Sequence, residues 1–524
     1  MVELTIARAL RLAVERNRPR PALVCGRRRL NFGELGELGN RVANALLAAG
    51  LKPGDRLGVM LPNSVEYVAV VYAAAQAGLV MMPLNYRLGG AEIAYPLGDG
   101  GARALIYAGQ YRAEVDRARG SVPGLLTFAV GRASAADAGE LLALAALQPS
   151  TAPAFEVRER DLFYLGYTSG TTGPPKGAMI TQRNRALAVQ LWALEYGVGS
   201  NDTALHVAPF HHTAPLTFTL TQLCMGGRVV ILPRFDAVAV LRMLAAEGVT
   251  WAFMVPYMLN GLIAAVESQR RRVALRRLRF LISGGAPLPT PTKLALLKVF
   301  PRLGLHEFYG ATEAGIIANL EPRDQRRKVR CVGRPLRDVE VRIVLPGGTP
   351  APPGVAGDIW VRSSTLFAGY YQAPAPTRRA LRAGWATVGD IGRIDEQGYL
   401  YIVDRRKDVI KSGGVSVFPA EIEEVMLSHP GVLQAAVIGV PDARWGEAAH
   451  AVVVARPGHQ PSGEELLTHC RRSLAGYKLP KSVEFRPSLP MSPAGKVLKR
   501  RLRARRLPAQ AGALPPSDDE VAAD

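Results

Sequence analysis

Residues 167–177 read YTSGTTGPPKG and follow directly on an apolar, strand-like run at residues 162–166. Neighbouring hydroxyls and glycines let backbone N–H and side-chain O–H groups converge on phosphate oxygens, and Lys176 adds a compact cation. The segment differs from a Walker A loop, because Pro174 and Pro175 remove two N–H donors just before the lysine. A flexible Ser/Thr/Gly linker is the alternative, and the preceding strand argues against it. The pattern predicts a triphosphate-binding turn.

Short apolar runs alternate with helical periods from the N-terminus onward. The pattern predicts strands at residues 22–24, 57–60 and 79–83, and helices at residues 32–49 and from Ser64. This alternation indicates an α/β fold with mostly parallel strands, built as a large N-terminal domain of layered α/β subdomains.

A change of character near residue 405 predicts a second, smaller α+β domain. Its predicted elements are strands at residues 435–439 and 450–455 and a helix at residues 462–474. We therefore expect an N-terminal domain at residues 1–404 and a C-terminal domain at residues 405–507. The small, polar and acidic tail, residues 508–524, is expected to be disordered.

The composition, 48% hydrophobic and 21% charged residues, is typical of a globular protein. The net charge of +21 would attract polyanions such as nucleotides, coenzyme A, nucleic acid or anionic membrane surface. The basic residues do not form one stripe and no nucleic-acid-binding motif occurs, so we expect a solvated basic surface and no nucleic-acid partner. Peripheral membrane contact and the oligomeric state stay open, with a dimer among the options.

The four cysteines form neither a C-x-x-C pair nor a Cys/His cluster, which argues against disulfides and structural zinc. A reducing cytoplasm is therefore expected, and the N-terminus lacks the apolar core of a signal peptide. The apolar stretch at residues 67–84 contains Gln76 and Gly78, so a helix, a turn and a buried strand explain it better than a transmembrane segment.

Three further segments follow the glycine-rich loop: ISGGAP at residues 282–287, FYGATE at 308–313 and PMSPAGK at 490–496. In this order the four segments resemble the acyl-adenylate-forming superfamily of acyl-CoA synthetases, nonribosomal-peptide adenylation domains and firefly luciferase. The resemblance covers nearly the whole chain. It implies an AMP-forming acid–thiol ligase that uses ATP, Mg²⁺ and coenzyme A and takes a small-molecule carboxylic acid.

The resemblance also implies roles for single residues. Tyr309 would pack on adenine, Thr312 would reach the α-phosphate, and Glu313 with Thr168 would hold magnesium. Lys496 would bridge the substrate carboxylate and the α-phosphate. The remaining implied ATP contacts are Ser169, Gly170, Thr171, Thr172, Gly173, Lys176, Gly284, Gly285, Ala286, Pro287, Phe308, Gly310, Ala311, Asp390 and Arg405. Val388 stands where the family usually has threonine, which removes one hydroxyl near the ribose.

The resemblance implies that the C-terminal domain is mobile, with a hinge at Lys407. Gly413 and Gly414 would belong to the element that forms the pantetheine tunnel. Trp445 would be either a tunnel aromatic or a buried residue of the small-domain core, and both interpretations stay open here.

PFHH at residues 209–212 matches the family's P-x-x-H, so His212 would orient or shield the acid beside its carboxylate. The expected walls of the acid pocket are apolar: Phe210, Tyr257, Phe308 and the backbone of residues 284–286. Since Asp236 matches poorly as a partner for an α-amino group, a fatty, alicyclic or aromatic acid is expected. An enzyme that loads a carrier protein or an amine is the alternative, and intact Lys496 and Glu313 argue against a non-catalytic binding protein.

Overall fold

The computed structural model describes residues 2–134, 136–168, 174–268, 275–491 and 497–504. The chain divides into two compact units, Met1–Ile402 and Val403–Asp524. The boundary after residue 404 and the hinge near Lys407 stay predictions. The tail at residues 508–524 lies outside the described residues.

Helices alternate with strands along much of the first unit. Their bounds are α1 Ile6–Asn17, α2 Phe32–Ala48, α3 Val65–Gln76, α4 Gly90–Asp99, α5 Arg112–Arg119, α6 Leu141–Ala146, α7 Gln182–Tyr196, α8 Thr213–Cys224, α9 Ala237–Ala246, α10 Pro256–Glu267, α11 Thr290–Val299, α12 Pro374–Ala380, α13 Pro419–Leu427, α14 Gly463–Arg471 and α15 Lys499–Ala504.

The strands have the following bounds. They are β1 Pro21–Cys25, β2 Arg28–Asn31, β3 Arg56–Met60, β4 Val80–Pro83, β5 Ala102–Ala108, β6 Leu126–Val130, β7 Gly139–Glu140, β8 Leu162–Thr168, β9 Lys176–Thr181, β10 Thr203–His206, β11 Arg228–Ile231, β12 Trp251–Phe253, β13 Phe280–Ser283, β14 Gly304–Ala311, β15 Gly315–Leu320, β16 Arg334–Pro335, β17 Val339–Val344, β18 Gly357–Ser363, β19 Leu381–Arg382, β20 Trp385–Ala386, β21 Asp390–Ile394, β22 Leu400–Arg405, β23 Ile410–Ser412, β24 Val415–Val417, β25 Val432–Asp442, β26 Gly446–Ala455 and β27 Ser482–Phe485.

Two large sheets in the first unit confirm the α/β prediction. Over the described residues, one runs β16-β15-β14-β13-β12-β10-β11-β1-β2 and the other β7-β6-β5-β3-β4-β8-β9. The interior pairs are parallel, while β2, β9, β15 and β16 pair antiparallel at the edges. Ligands bind outside the carboxyl ends of such parallel strands, which directs attention to the loops that follow β8, β10, β13 and β14.

The third and fourth sheets are built differently. In the first unit, β17, β18, β19, β20 and β21 pair antiparallel, an arrangement that the alternating pattern does not predict. In the second unit, β23 to β27 form a mostly antiparallel sheet, against which α13 and α14 contribute buried side chains. The small domain is therefore α+β, as the sequence predicts.

The apolar stretch at residues 67–84 forms a buried helix, a turn and a buried strand, as predicted. Every residue of α3 is buried except Glu66, and β4 is buried throughout. Gln76 lies inside because its side-chain amide donates to the carbonyl of Ala7 at 2.7 Å. Gly78 takes a positive φ of 65° at the turn. No helix in the described part of the chain is long and apolar enough to cross a membrane.

Candidate functional site

The glycine-rich segment connects β8 to β9, which pair antiparallel at one edge of the seven-stranded sheet. Strand β8 ends at Thr168 and β9 begins at Lys176, and these two residues pair across the hairpin. Residues 169–173, with Ser169, Gly170, Thr171, Thr172 and Gly173, lie outside the described residues, as does the side chain of Thr168. The Tyr167 hydroxyl, near the end of β8, donates to Asp99 Oδ2 at 2.6 Å and so ties this strand to the end of α4.

Tyr370 joins Lys176 to Glu313 beside this hairpin. The Lys176 ammonium lies 5.3 Å from the centre of the Tyr370 ring, and the Tyr370 hydroxyl donates to Glu313 Oε1 at 2.8 Å. Glu313 is only 8% exposed, and its carbonyl accepts from the Phe367 N–H at 2.9 Å. Burial, followed by Glu313, raises the pKa of Tyr370, so its hydroxyl keeps its proton and remains a donor. Tyr370 therefore links the cation of Lys176, at the end of the predicted phosphate-binding segment, to the carboxylate of Glu313.

The Glu313 carboxylate fits magnesium held jointly with phosphate. No cluster of three or more His, Cys, Asp or Glu side chains suited to a metal occurs among the described residues. Mg²⁺ is commonly bound by one or two carboxylates together with substrate phosphates. Because Oε1 of Glu313 already accepts from Tyr370, the carboxylate is oriented before any ligand arrives.

Removing the Tyr370 hydroxyl tests this orientation. We expect Tyr370→Phe to raise the Mg²⁺ concentration for half-maximal activity by about tenfold, because the carboxylate that would hold magnesium loses its supporting hydrogen bond. A magnesium titration measures the change. Tyr371→Phe is the matched control, since the Tyr371 hydroxyl accepts from the exposed Gln372 at 3.3 Å, whereas the Tyr370 hydroxyl donates to Glu313. An unchanged magnesium requirement in Tyr370→Phe would remove Tyr370 from the site.

The segments predicted to hold adenine and ribose also meet. Tyr309 on β14 donates its hydroxyl to Asp390 Oδ2 at 2.5 Å, and Asp390 begins β21 and is buried. Gly284 must be glycine, because a Cβ there would lie 2.5 Å from the Phe308 ring. Gly285 takes a positive φ of 81°. Residues 284–287 therefore bring backbone close to the aromatic side of β14.

The turn after β14 carries Gly310, Ala311 and Thr312. A Cβ on Gly310 would lie 2.3 Å from the Gly315 carbonyl, so the narrow β14–β15 hairpin requires glycine. The Thr312 hydroxyl lies 3.4 Å from the Thr213 hydroxyl at the start of α8. The loop after β14 thus meets the loop after β10, where the histidines lie.

His211 and His212 form an adjacent pair with ring centres 4.3 Å apart. Burial, then the neighbouring His212 and Arg87, lower the pKa of His211 well below its usual range, so its ring is neutral. His212 is half-buried and is the residue that precedes α8. Its position one residue before Thr213 brings it to the same end of the sheet as Thr312.

The expected pocket walls are not equally enclosed. Phe210 is fully buried against Tyr67, and Phe308 is buried among Phe218 and Phe253 with its edge on Gly284. Tyr257 is 42% exposed and packs on Phe235. Asp236 caps α9, where its Oδ1 accepts from the Ala239 N–H at 2.7 Å. It therefore has a local structural role, in keeping with its poor match as an amine partner.

The second unit carries the remaining predicted residues. Gly413 and Gly414 form the β23–β24 turn with positive φ values of 57° and 82°. Trp445 is 38% exposed and packs on Gly413, whose N–H donates to the Trp445 carbonyl at 2.8 Å. The alternative of a buried core tryptophan is therefore wrong. Lys407 is exposed, and Lys496 lies outside the described residues.

Arg405 follows a structural aspartate. Asp404 is buried and accepts from the backbone N–H groups of Arg405 at 2.7 Å and Ala420 at 2.9 Å. Burial raises the pKa of Asp404. One bond holds the backbone of Arg405 and the other ties Asp404 to the first turn of α13, so Asp404 fixes the segment that carries Arg405.

Sequence reasoning did not find Tyr370. The tyrosine follows FAG at residues 367–369 without any motif of its own, and its hydrogen bond spans 57 residues. The sequence shows only that an aromatic residue follows FYGATE, and four other tyrosines also follow that segment.

The chain matches known proteins over most of its length. A family model described as "AMP-binding enzyme" matches residues 10–371, and "AMP-binding enzyme C-terminal domain" matches residues 421–496. A feruloyl-CoA synthase from an Amycolatopsis species is 40% identical over 479 residues, covering 91% of this chain and 94% of that protein. A long-chain-fatty-acid–CoA ligase from Mycobacterium tuberculosis is 37% identical, covering 91% and 93%. ATP-bound MatB from Rhodopseudomonas palustris superposes with a TM-score of 0.88 at 30% identity, covering 96% and 99%.

Proposed function

Because the chain belongs to the AMP-binding enzyme family, we propose that it is an ATP-dependent carboxylic acid–coenzyme A ligase that forms AMP and pyrophosphate. The observation that carries this function is that Tyr370 links Lys176, the first residue of β9, to the buried carboxylate of Glu313. A cation and an oriented carboxylate are groups that a magnesium nucleotide requires, and Lys176 directly follows a segment of the sequence rich in hydroxyl groups.

In the first step, a carboxylate oxygen of the acid attacks the α-phosphorus of ATP, and the bond to the bridging oxygen of pyrophosphate breaks. The acid needs no base, because a carboxylate is already ionised at neutral pH. Lys176, Thr312 and Lys496 donate to phosphate oxygens as charge builds on them. Glu313 would hold Mg²⁺, which when bound neutralises phosphate charge. His212 orients the acid.

In the second step, the coenzyme A thiol attacks the carbonyl carbon of the acyl adenylate. The thiol proton passes to solvent, the carbon–oxygen bond breaks, and AMP leaves with the oxygen that came from the acid. No covalent enzyme nucleophile takes part. Burial raises the pKa of all four cysteine thiols, to about 12 for Cys224 and about 11 for Cys331, so they stay protonated and unreactive.

The acid is fatty, alicyclic or aromatic. The expected wall residues Phe210 and Phe308 are buried among other aromatic side chains, which supports apolar surroundings for the acid. Asp236, the acidic group considered for an amino-acid substrate, caps α9 instead. The relatives named for feruloyl and long-chain acyl groups support the same class. Coenzyme A is the acceptor, and the half-exposed Trp445 beside the Gly413–Gly414 turn is suited to contact a pantetheine arm.

The experiment that tests this function measures pyrophosphate release across fatty, alicyclic, aromatic and amino acids. Each acid is assayed with coenzyme A, with a phosphopantetheinylated carrier protein, and with a small amine. The proposal expects one apolar acid class to release pyrophosphate and to yield an acyl thioester with coenzyme A. Adenylate formation followed by transfer only to the carrier protein or the amine would establish the alternative acceptor. If none of the acids caused pyrophosphate release, the proposed function would be excluded.

The hinge is proposed at Lys407, where the second unit would rotate so that Lys496 serves the first step and the thiol reaches the acyl carbon in the second. Lys407→Pro should slow the two half-reactions unequally, because proline restricts the backbone rotation that interconverts the two poses. Pyrophosphate release reports the first half-reaction, and thioester formation from preformed adenylate reports the second. Lys407→Ala, which removes the side chain and leaves the backbone free, is the control. Equal losses in both half-reactions would contradict the hinge.

The four free cysteines fit a protein of a reducing compartment, and we propose a cytoplasmic location.

A further inference from the structure

Arg185 is a buried cation in an unfavourable place. It lies in the first turn of α7, where the helix dipole opposes positive charge, and its side chain is only 3% exposed. Burial lowers the pKa of its guanidinium to about 10. Both the helix dipole and burial therefore oppose a positive charge at this position, so an arginine there does not stabilise α7.

The surroundings of Arg185 offer few compensating contacts. Its Nη1 donates to the Thr217 hydroxyl, and its guanidinium lies 5.2 Å from the centre of the Tyr164 ring. Within the described part of the chain, no carboxylate pairs with Arg185, and its Nε and Nη2 have no hydrogen-bond partner. A buried charge left this incompletely satisfied is expensive, so the position calls for a role outside folding.

Two polar connections run from Arg185 toward Thr312. The Thr217 hydroxyl, which accepts from Arg185, donates to the Thr213 carbonyl at 2.7 Å. The Tyr164 hydroxyl, on the ring that faces Arg185, lies 3.0 Å from the Thr213 hydroxyl. That hydroxyl lies 3.4 Å from the Thr312 hydroxyl. Arg185 is thus linked to the backbone of Thr213 through Thr217 and to its side chain through Tyr164, and the Thr213 hydroxyl contacts that of Thr312.

We propose that Arg185 is a positioning residue for adenylation, which aims the Thr312 hydroxyl through Tyr164, Thr217 and Thr213. The inference rests on the proposed function, because Thr312 is assigned there to the α-phosphate. The charge contributes as well as the hydrogen bonds. An unneutralised cation in a dry interior is screened little, so its positive potential extends toward a phosphate bound at Thr312.

The first test compares Arg185→Met with Arg183→Met. Arg183 lies on the same helix, is exposed, and pairs with Glu159, so its loss should leave the rate unchanged. We expect Arg185→Met to lower kcat for pyrophosphate release by about 10- to 100-fold while changing KM for ATP much less, since a misaimed group costs most in the transition state. Its melting temperature should stay the same or rise, because an apolar side chain replaces a buried charge.

The second test uses Arg185→Lys, which keeps the charge. Burial disfavours the charged form of lysine, so its pKa falls below the usual value and the charge is lost as pH rises through it. Arg185→Lys should recover most of the rate at pH 7 and lose it progressively at higher pH, relative to wild type. Of the titratable side chains in the described part of the chain, Tyr164 on β8 faces the guanidinium, and Tyr67 on α3 interacts with Tyr164. Burial raises the pKa of both, so they stay neutral as the lysine titrates.

Activity of the wild-type protein decides the proposed function separately, because that assay does not depend on Arg185. In an active enzyme, a kcat for Arg185→Met equal to that of Arg183→Met would overturn the inference. So would a fall in kcat that matches a fall in melting temperature, or a pH profile of Arg185→Lys parallel to wild type. A lower kcat with intact stability and a lysine variant that fails at high pH would support it.

Discussion

Replacing Lys496 with alanine is expected to lower carboxylate-dependent pyrophosphate release by about 10²-fold or more, the effect of losing one preorganised charge stabiliser. Lys496 follows Gly495 in the closing segment PMSPAGK, and its proposed position is between the substrate carboxylate and the α-phosphate. Its cation would offset the charge that builds on the phosphoryl oxygens. The rate of pyrophosphate release at saturating ATP and acid measures the change.

The same variant should retain thioester formation from preformed adenylate, because the phosphoryl transfer is then already complete. Arg500→Ala is the control, since Arg500 is an exposed cation in the same basic run. A Lys496→Ala enzyme with near-normal pyrophosphate release would refute the role of Lys496. A loss shared equally by Arg500→Ala would assign the effect to the net charge of the segment.

Replacing Glu313 with glutamine has the second large expected effect. The substitution preserves the side-chain volume and an oxygen that can accept from the Tyr370 hydroxyl, while it removes the negative charge. We expect pyrophosphate release to fall by about 10²-fold, because the carboxylate that would hold Mg²⁺ against the phosphates is lost. Measurements over a range of magnesium concentrations distinguish weaker metal binding from a slower chemical step.

Glu340→Gln is the matched control for Glu313→Gln. Glu340 forms an exposed ion pair with Arg362, and such pairs contribute little to stability or activity. The melting temperature of Glu313→Gln should stay near that of the wild type, because its hydrogen bond is retained. Full activity of Glu313→Gln at low magnesium would exclude Glu313 from the metal site.

Local sequence signals predicted the main helices well, because capping residues mark where a helix begins and the spacing of apolar residues marks its buried face. Helix α2 begins with a capping box of Asn31 and Glu34 and buries Leu35, Val42 and Leu46 on one face, close to the predicted range of residues 32–49. Helix α14 ends at Arg471, three residues before the predicted end at 474. Leu474, the predicted last residue, is buried after the helix has already ended.

The antiparallel sheet of β17 to β21 was not predicted, because its strands lack the signals that mark the parallel sheets. Strand β17 alternates half-buried with exposed residues for most of its length, and β19 and β20 have only two residues each. Strands β19 and β20 do pair across a two-residue turn at residues 383–384, but they are too short to show an alternating pattern. Residues 345–356 separate β17 from β18, so no two-residue turn sets the register between Val339 and Ser363.

The candidate site was predicted wherever a motif is contiguous in sequence and missed where it depends on tertiary contact. Gly284, Tyr309 and Glu313 lie inside recognisable segments. Tyr370 and Arg185 lie outside such segments. Their roles depend on tertiary contacts, the Tyr370 hydroxyl with Glu313 and the Arg185 guanidinium with Tyr164. The sequence around Arg185 indicates only a capped helix.

The central claim is that an oxygen of the acid attacks the α-phosphorus of ATP. An acid labelled with ¹⁸O in both carboxylate oxygens tests it directly, with AMP and the acyl thioester analysed by mass spectrometry after a complete reaction. The account predicts one ¹⁸O atom in AMP and one in the thioester, with none in pyrophosphate. Unlabelled AMP, or label in pyrophosphate or phosphate, would show that the acid is activated at another phosphorus or not at all, and would contradict the account.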